Sequence, residues 1–272
     1  MGEPIFIHKF EEVVPQPIND SVTLRRYLNL PKFVSLLVSG KLYLTRSDVF
    51  SDPLEGSVTR LMAEALKEQF NDKLHVVLEL ADFRRLSRES TFVNCWSFGD
   101  SESVAMWNLY CESVYGVAIQ TTYKKLRDSL PEEGFNFAPV RYINYQTDGF
   151  PQSNLIYPFF HKRDVYEYEQ EVRVVRFAFD QLVMGLPSTG KETTEKDIQR
   201  LRAVNEEKER IKAQRGKGIT IEWPAADILS AVLVHPYSPE WFFDVVKSVA
   251  NRLSPDLEER VEWSAIRTDP IF

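Results

Sequence analysis

The stretch YEYEQEVRVVRF, residues 166–177, constrains the fold more than any other part of the chain, because charged and apolar side chains alternate there with the period of a β-strand. Successive strand side chains point to opposite faces, so Glu167, Glu169, Glu171 and Arg173 are expected on one face and Tyr168, Gln170, Val172 and Val174 on the other. The second face is expected to be buried. Carboxylates two strand residues apart lie about 6.7 Å from each other, and their repulsion is roughly 0.6 kcal/mol in water but about 2.5 kcal/mol at an effective dielectric near 20. If the charged face is solvated, it is a sheet surface paired with its neighbours and costs little. If it lines a cleft, each glutamate requires a cationic partner, a metal or a raised pKa, and such arrangements concentrate at active sites.

The rest of the chain predicts an α+β fold, a single domain over residues 1–272 with a mixed, largely antiparallel sheet flanked by helices. TLRRYLNLPKFVSLLVSGKLYLTR, residues 23–46, reads as a strand, a helix opened at Asn29 with Pro31 in its first turn and stopped by Gly40, and a second strand. The turn-rich SDVFSDPLEGS then leads into helical spacing at Val58, Leu61, Met62, Ala65 and Leu66. STFVNCWSF and YGVAIQTT read as strands, ESVAMWNLYCES and YKKLRDSL as helices, and APVRYINYQ and VEWSAIR as further strands. Residues 184–218 are charged and nearly free of aromatic residues, which predicts a surface insertion carrying an exposed, partly mobile helix.

Bulk properties exclude several classes. With 43% hydrophobic residues the chain buries a core, and its apolar runs fall short of the roughly 20 residues of a membrane helix. The start MGEPIFIHKFEE lacks a secretory pattern, so a cytoplasmic protein with no membrane partner is expected. Cys95 and Cys111 form no cluster with each other or with the scattered His8, His75, His161 and His235, which predicts two buried thiols and no structural metal. A net charge of -7 argues against whole-surface attraction to nucleic acid, although a local basic cleft remains compatible with it.

Phosphate-loop, Rossmann and serine-hydrolase signatures are missing from the sequence. Four places carry candidate chemistry. In LRRY, one of Arg25 and Arg26 shares a strand face with Leu24, where an arginine fork suits a carboxylate or a phosphate; a plain basic surface strand is the alternative. In FSDPLEG, Asp52 and Glu55 flank a turn, and Asp52 there can simply bond its own backbone. In CWSF and SVAMWNLY, Ser97 ends a strand, while Met106, Trp107 and Tyr110 lie within helical reach and form either an aromatic wall or core. The fourth is the opening stretch, with Lys162 just before it.

Together these pieces resemble a large bacterial family known as domain of unknown function 2971. The family's ordered motifs have counterparts at Leu24 to Tyr27, Phe50 to Gly56, Cys95 to Ser97, Met106 to Tyr110 with Gly116, and Lys162 to Arg173, so the resemblance covers roughly residues 23–245. Ser51 stands where the family usually has Asn, and Tyr166 where it has Trp. The family name implies no activity; its members are often met in settings suggestive of defence against phage. A more distant similarity is to ADP-ribosyltransferases, which gather a basic residue, a small hydroxyl residue and an E-x-E strand around NAD, in the order Arg26, Ser97 and Glu169-Gln170-Glu171 here.

That similarity implies NAD as substrate, with catalytic Glu171 gripping the ribose hydroxyl and Glu169 orienting an acceptor. Arg26 would bind the pyrophosphate, Ser97 would position the nicotinamide-side ribose, and Trp107 or Tyr110 would stack on a ring. Asp52, Lys162 and Arg173 complete the implied binding set, and the acceptor is an unidentified macromolecule or small molecule. Two other classes stay open. Asp52, Glu55, Glu169 and Glu171 could hold Mg²⁺ in a nuclease or phosphohydrolase with Lys162 assisting, or the alternating charges could form a recognition strip in a non-enzymatic sensor.

Overall fold

A computed structural model describes residues 19–70, 74–131, 133–151, 154–178, 216–268 and 270. Its elements run β1 (Thr23–Asn29), α1 (Leu30–Ser39), β2 (Lys41–Arg46), α2 (Arg60–Gln69), α3 (Leu74–Glu89), β3 (Thr91–Phe98), α4 (Val104–Tyr110), β4 (Gly116–Thr122) and α5 (Tyr123–Asp128). They continue with β5 (Phe135–Pro139), β6 (Arg141–Ile143), β7 (His161–Arg163), β8 (Glu171–Phe177), β9 (Gly218–Glu222), α6 (Ala225–Ile228), β10 (Ala231–Val234), α7 (Glu240–Leu253) and β11 (Val261–Trp263). Short 3₁₀ segments fill several connections, among them Tyr157–Phe160 and Asp164–Glu169. The fold is α+β: nine strands form a mixed sheet in which only β10 and β11 run parallel, and β6 and β7 make a separate parallel pair. Among the described residues no helix is long and apolar enough to cross a membrane.

The strand, helix, strand unit at residues 23–46 forms as its punctuation predicts. The Asn29 side chain accepts from the Lys32 amide at 3.1 Å, Pro31 occupies the first turn, and Gly40, at φ 62°, closes α1 by donating its amide to the Leu36 carbonyl. Most of the insertion expected at 184–218 lies outside the described residues, and its last residue, Gly218, instead opens β9 against β2.

The sheet branches at β3. Along one edge β3 pairs with β8 over its whole length, from Thr91↔Phe177 to Ser97↔Glu171. Its other edge is divided: β1 pairs only with its end, through Leu24↔Phe98 and Arg25↔Ser97, and β2 only with its beginning, through Thr45↔Val93 and Arg46↔Phe92. Between them, at residues 94–96, β1 and β2 part and α1 spans the gap. The Asn94 side chain crosses there to donate to the Tyr43 carbonyl at 2.8 Å, so the opening strands stay tied although their ladder is interrupted.

Side-chain parity assigns the core. Leu24 and Leu28 of β1, Phe92 and Trp96 of β3, and Val172 and Val174 of β8 join one large cluster with α1 and α7. Val93 and Val175 face the opposite layer, packed with Tyr145, Tyr157, Phe159 and Phe160. Gly56, at φ 68°, belongs beneath that layer, where an added Cβ would lie 2.4 Å from the Phe159 ring.

Candidate functional site

The opening stretch is a strand only from Glu171 onward. Asp164–Glu169 coils as a 3₁₀ helix, and Gln170 takes the left-handed conformation at φ 43°, unusual for a residue with a side chain and worth of order 1–3 kcal/mol of strain. Its amide and its Nε2 both donate to the Glu167 carbonyl, and its own carbonyl accepts from the Phe98 amide at 2.8 Å, which holds the kink against β3. The alternation expected from residue 167 is therefore corrected: Glu167, Tyr168 and Gln170 are exposed, because the chain turns before the strand begins. Glu169, Glu171 and Arg173 are nevertheless all buried, at 5%, 3% and 1% exposure.

Burial makes the repulsion large, and a buried ion network answers it. Lys162 of β7 places its Nζ 2.6 Å from Glu169 Oε2, 3.3 Å from Glu171 Oε2 and 3.3 Å from Glu55 Oε1. Arg173 brings Nη2 within 2.9 Å of Glu171 Oε2 and 2.8 Å of Glu55 Oε2, and donates from Nη1 to the Phe159 carbonyl. Both cations thus take the same oxygen of Glu171. Burial alone would raise the Glu171 pKa, but the Arg173 and Lys162 charges and their hydrogen bonds outweigh it and push the pKa down to about 2. Glu169 moves the other way: desolvation and the neighbouring Glu171 charge raise its pKa above the ordinary value, against the pull of Lys162. Two adjacent carboxylates whose pKa values separate in this way are suited to different roles.

Glu169 and Glu171 line one end of a cleft of about 550 Å³ that enters the sheet where β1 and β2 part. Arg26, Ser97 and Tyr110 line it too. Arg26 belongs to the Leu24 and Leu28 face of β1, whereas Ser97 and Glu171 belong to the opposite face of the sheet; the opening in the ladder lets one cavity collect side chains from both. Arg26 makes no hydrogen bond or ion pair with another described residue, and desolvation lowers its pKa to about 10. A desolvated guanidinium without a counter-ion is a ready partner for an anion. The Ser97 hydroxyl donates to the Glu169 carbonyl at 2.8 Å, leaving its oxygen free to accept.

The structure separates the remaining candidates. Lys162 and Arg173 stand behind the carboxylates and do not line the cleft. Asp52 lies outside it as well: its carboxylate takes the Leu54 amide at 3.0 Å and Arg163 Nε at 3.0 Å, tying its own turn to β7. Trp107 is corrected from wall to core. On α4, Met106 and Tyr110 are four residues apart and share the cleft side, while Trp107 is turned about 100° away; it packs edge-on against Tyr27 and His235 and donates Nε1 to Glu102 at 3.0 Å.

Cys111 is buried as expected, but Cys95 lines the cleft and donates to Glu171, with its thiol pKa raised mainly by burial. The acidic residues of the metal reading are divided, since Asp52 pairs with Arg163 and the other three surround the Lys162 ammonium. Among the described residues no group of three or more His, Cys, Asp or Glu has an arrangement that could hold a metal ion. Comparison with known proteins adds no relative: no family model matches the chain, and neither a curated protein nor a solved structure matches it.

Proposed function

We propose that the cleft binds NAD and that the chain transfers its ADP-ribosyl group to an acceptor or to water, as an ADP-ribosyltransferase or NAD glycohydrolase. One observation carries this reading: Arg26, Ser97, Glu169 and Glu171, from three distant stretches of sequence, line a single cleft. Its volume of about 550 Å³ lies within the range that encloses a small organic ligand. An NAD-consuming activity would act on the cytoplasmic pool, and phage defence is a setting in which such depletion or marking is useful.

The chemistry fits the two carboxylates. The bond between ribose C1′ and the nicotinamide nitrogen breaks, the electron pair leaves with neutral nicotinamide, and positive charge develops on the ribose. An ionised carboxylate fixed beside that charge stabilises the transition state more than the ground state. Glu171 is held ionised by Arg173 and Lys162, and because both cations occupy Oε2, its other oxygen can accept from a ribose hydroxyl. The nucleophile then adds to C1′, and its proton passes to Glu169, whose raised pKa suits a general base. Arg26 binds the pyrophosphate, and Tyr110 borders the ring of the leaving group.

The test is nicotinamide release from NAD by the purified chain, followed by chromatography. Glu171→Gln is expected to reduce the rate by about 10²-fold or more, the scale for loss of one electrostatic stabiliser. Retained turnover in that variant would remove Glu171 from catalysis. A wild-type chain that NAD stabilises without cleavage would be a binding module, and one that neither binds nor cleaves NAD would sink the reading.

A further inference from the structure

Resting on that reading, we propose that the cleft prefers a dinucleotide carrying a further phosphate on its ribose, NADP rather than NAD, through Lys32 and Lys41. The argument is a balance of charge along the wall of the cleft. Among the described residues its only acidic lining residues are Glu169 and Glu171, and both are bonded to Lys162. Its basic lining residues are Arg25, Arg26, Lys32 and Lys41, all within the β1, α1, β2 unit, in a chain whose net charge is -7.

The four cations divide into two pairs. Arg25 is held only by neutral oxygens, the Gly99 and Ser101 carbonyls at 2.8 and 3.2 Å and the Gln120 amide at 3.0 Å, and Arg26 has no hydrogen bond or ion pair with a described residue. Arg25 points to the Ser97 face and is held by those oxygens, so Arg26, on the opposite face, meets the pyrophosphate linkage that every such dinucleotide has. Lys32 and Lys41, at the two ends of α1, are then surplus. Their present partners are weak: Lys32 reaches Glu112 at 3.4 Å with both side chains more than half exposed, and Lys41 reaches Glu222, itself 80% exposed, at 2.8 Å. Exposed pairs of this kind are worth little and exchange readily. A ribose phosphomonoester, carrying about −1.5 to −2 charges, is a stronger anion than the exposed Glu112 and Glu222 side chains that these two lysines now hold.

Calorimetric titration of the full chain with NAD and with NADP tests this. Wild type is expected to bind NADP roughly tenfold more tightly, the scale of two exposed charge-assisted contacts. In the Lys32→Ala/Lys41→Ala double variant, whose substitutions lie on the surface, the ratio should fall toward one. Equal affinities in wild type, with turnover of either nucleotide, would overturn the preference and leave the proposed function standing. A preference that survives in the double variant would overturn its assignment to these lysines. Failure of both nucleotides to bind wild type would remove the function and the preference together.

Discussion

The two sides of the cleft solve the problem of buried charge in opposite ways. Behind β8, three carboxylates and two cations, Glu55, Glu169, Glu171, Lys162 and Arg173, are linked by ion pairs of 2.6–3.3 Å. On β1, Arg26 is half-buried with no acid beside it among the described residues. The first side carries its counter-charges as folded, although Glu55 Oε2 and Arg173 Nε are left without a hydrogen bond; the second has no counter-charge among the described residues. On the proposed function, the first half does the chemistry and the second recruits the nucleotide.

The largest effect comes from breaking the paired side. Lys162→Met leaves Glu55, Glu169 and Glu171 around Arg173 alone, and denaturant unfolding should show a loss of about 3–5 kcal/mol, the scale for removing one partner of a buried pair. A loss below about 1 kcal/mol would mean that the network is not held as described.

Acid should act on the same side. The Glu171 pKa is depressed in the folded chain, so its contribution to stability is full above the ordinary carboxylate value of 4.5 and is lost as pH falls toward 2. Glu169 has the opposite sign: its folded pKa is raised, so its contribution is full below 4.5 and is lost as pH rises through the folded value. In Glu171→Gln the thermal midpoint should consequently fall less steeply between pH 4.5 and 2 than in wild type. Parallel acid profiles would contradict the sign assigned to Glu171.

The smallest change in stability should come from the unpaired side. Arg26→Met removes an unpaired, desolvated charge, and its unfolding free energy should equal or exceed that of wild type by up to about 1 kcal/mol. NAD affinity should nevertheless fall about tenfold or more, since a charge-assisted hydrogen bond contributes roughly 1.5–3 kcal/mol. A destabilised Arg26→Met with unaltered affinity would make Arg26 a structural residue and erase the contrast.

Much of this arrangement is legible in the sequence, and the remainder has physical reasons for being hidden. Period two correctly places Glu171 with Arg173 and Val172 with Val174, but it reports sidedness and not depth, and both faces of β8 are buried there. It fails before residue 171 because nothing in YEYEQ announces that Gln170 adopts a left-handed backbone. Helical spacing groups Met106, Trp107 and Tyr110, yet only the pair four apart shares the cleft, and the tryptophan turns to the core. The turn chemistry of Asp52 was readable, since its carboxylate does bond its own backbone; that Glu55 three residues later enters a distant ion network was not. Least legible is the branch at β3, because it depends on β1 and β2 dividing one edge of β3 while β8, from a remote part of the chain, takes the other.

That branch also governs when the site can come into being. Residues 23–46 and 91–98 leave the ribosome early, but the carboxylates arrive only with β8, whose ladder to β3 closes a long loop of chain. Until that late pairing forms, the arginine side of the cleft stands without Glu169 and Glu171. On the proposed function, a chain not yet extended through β8 would therefore lack the two carboxylates that act on the nucleotide.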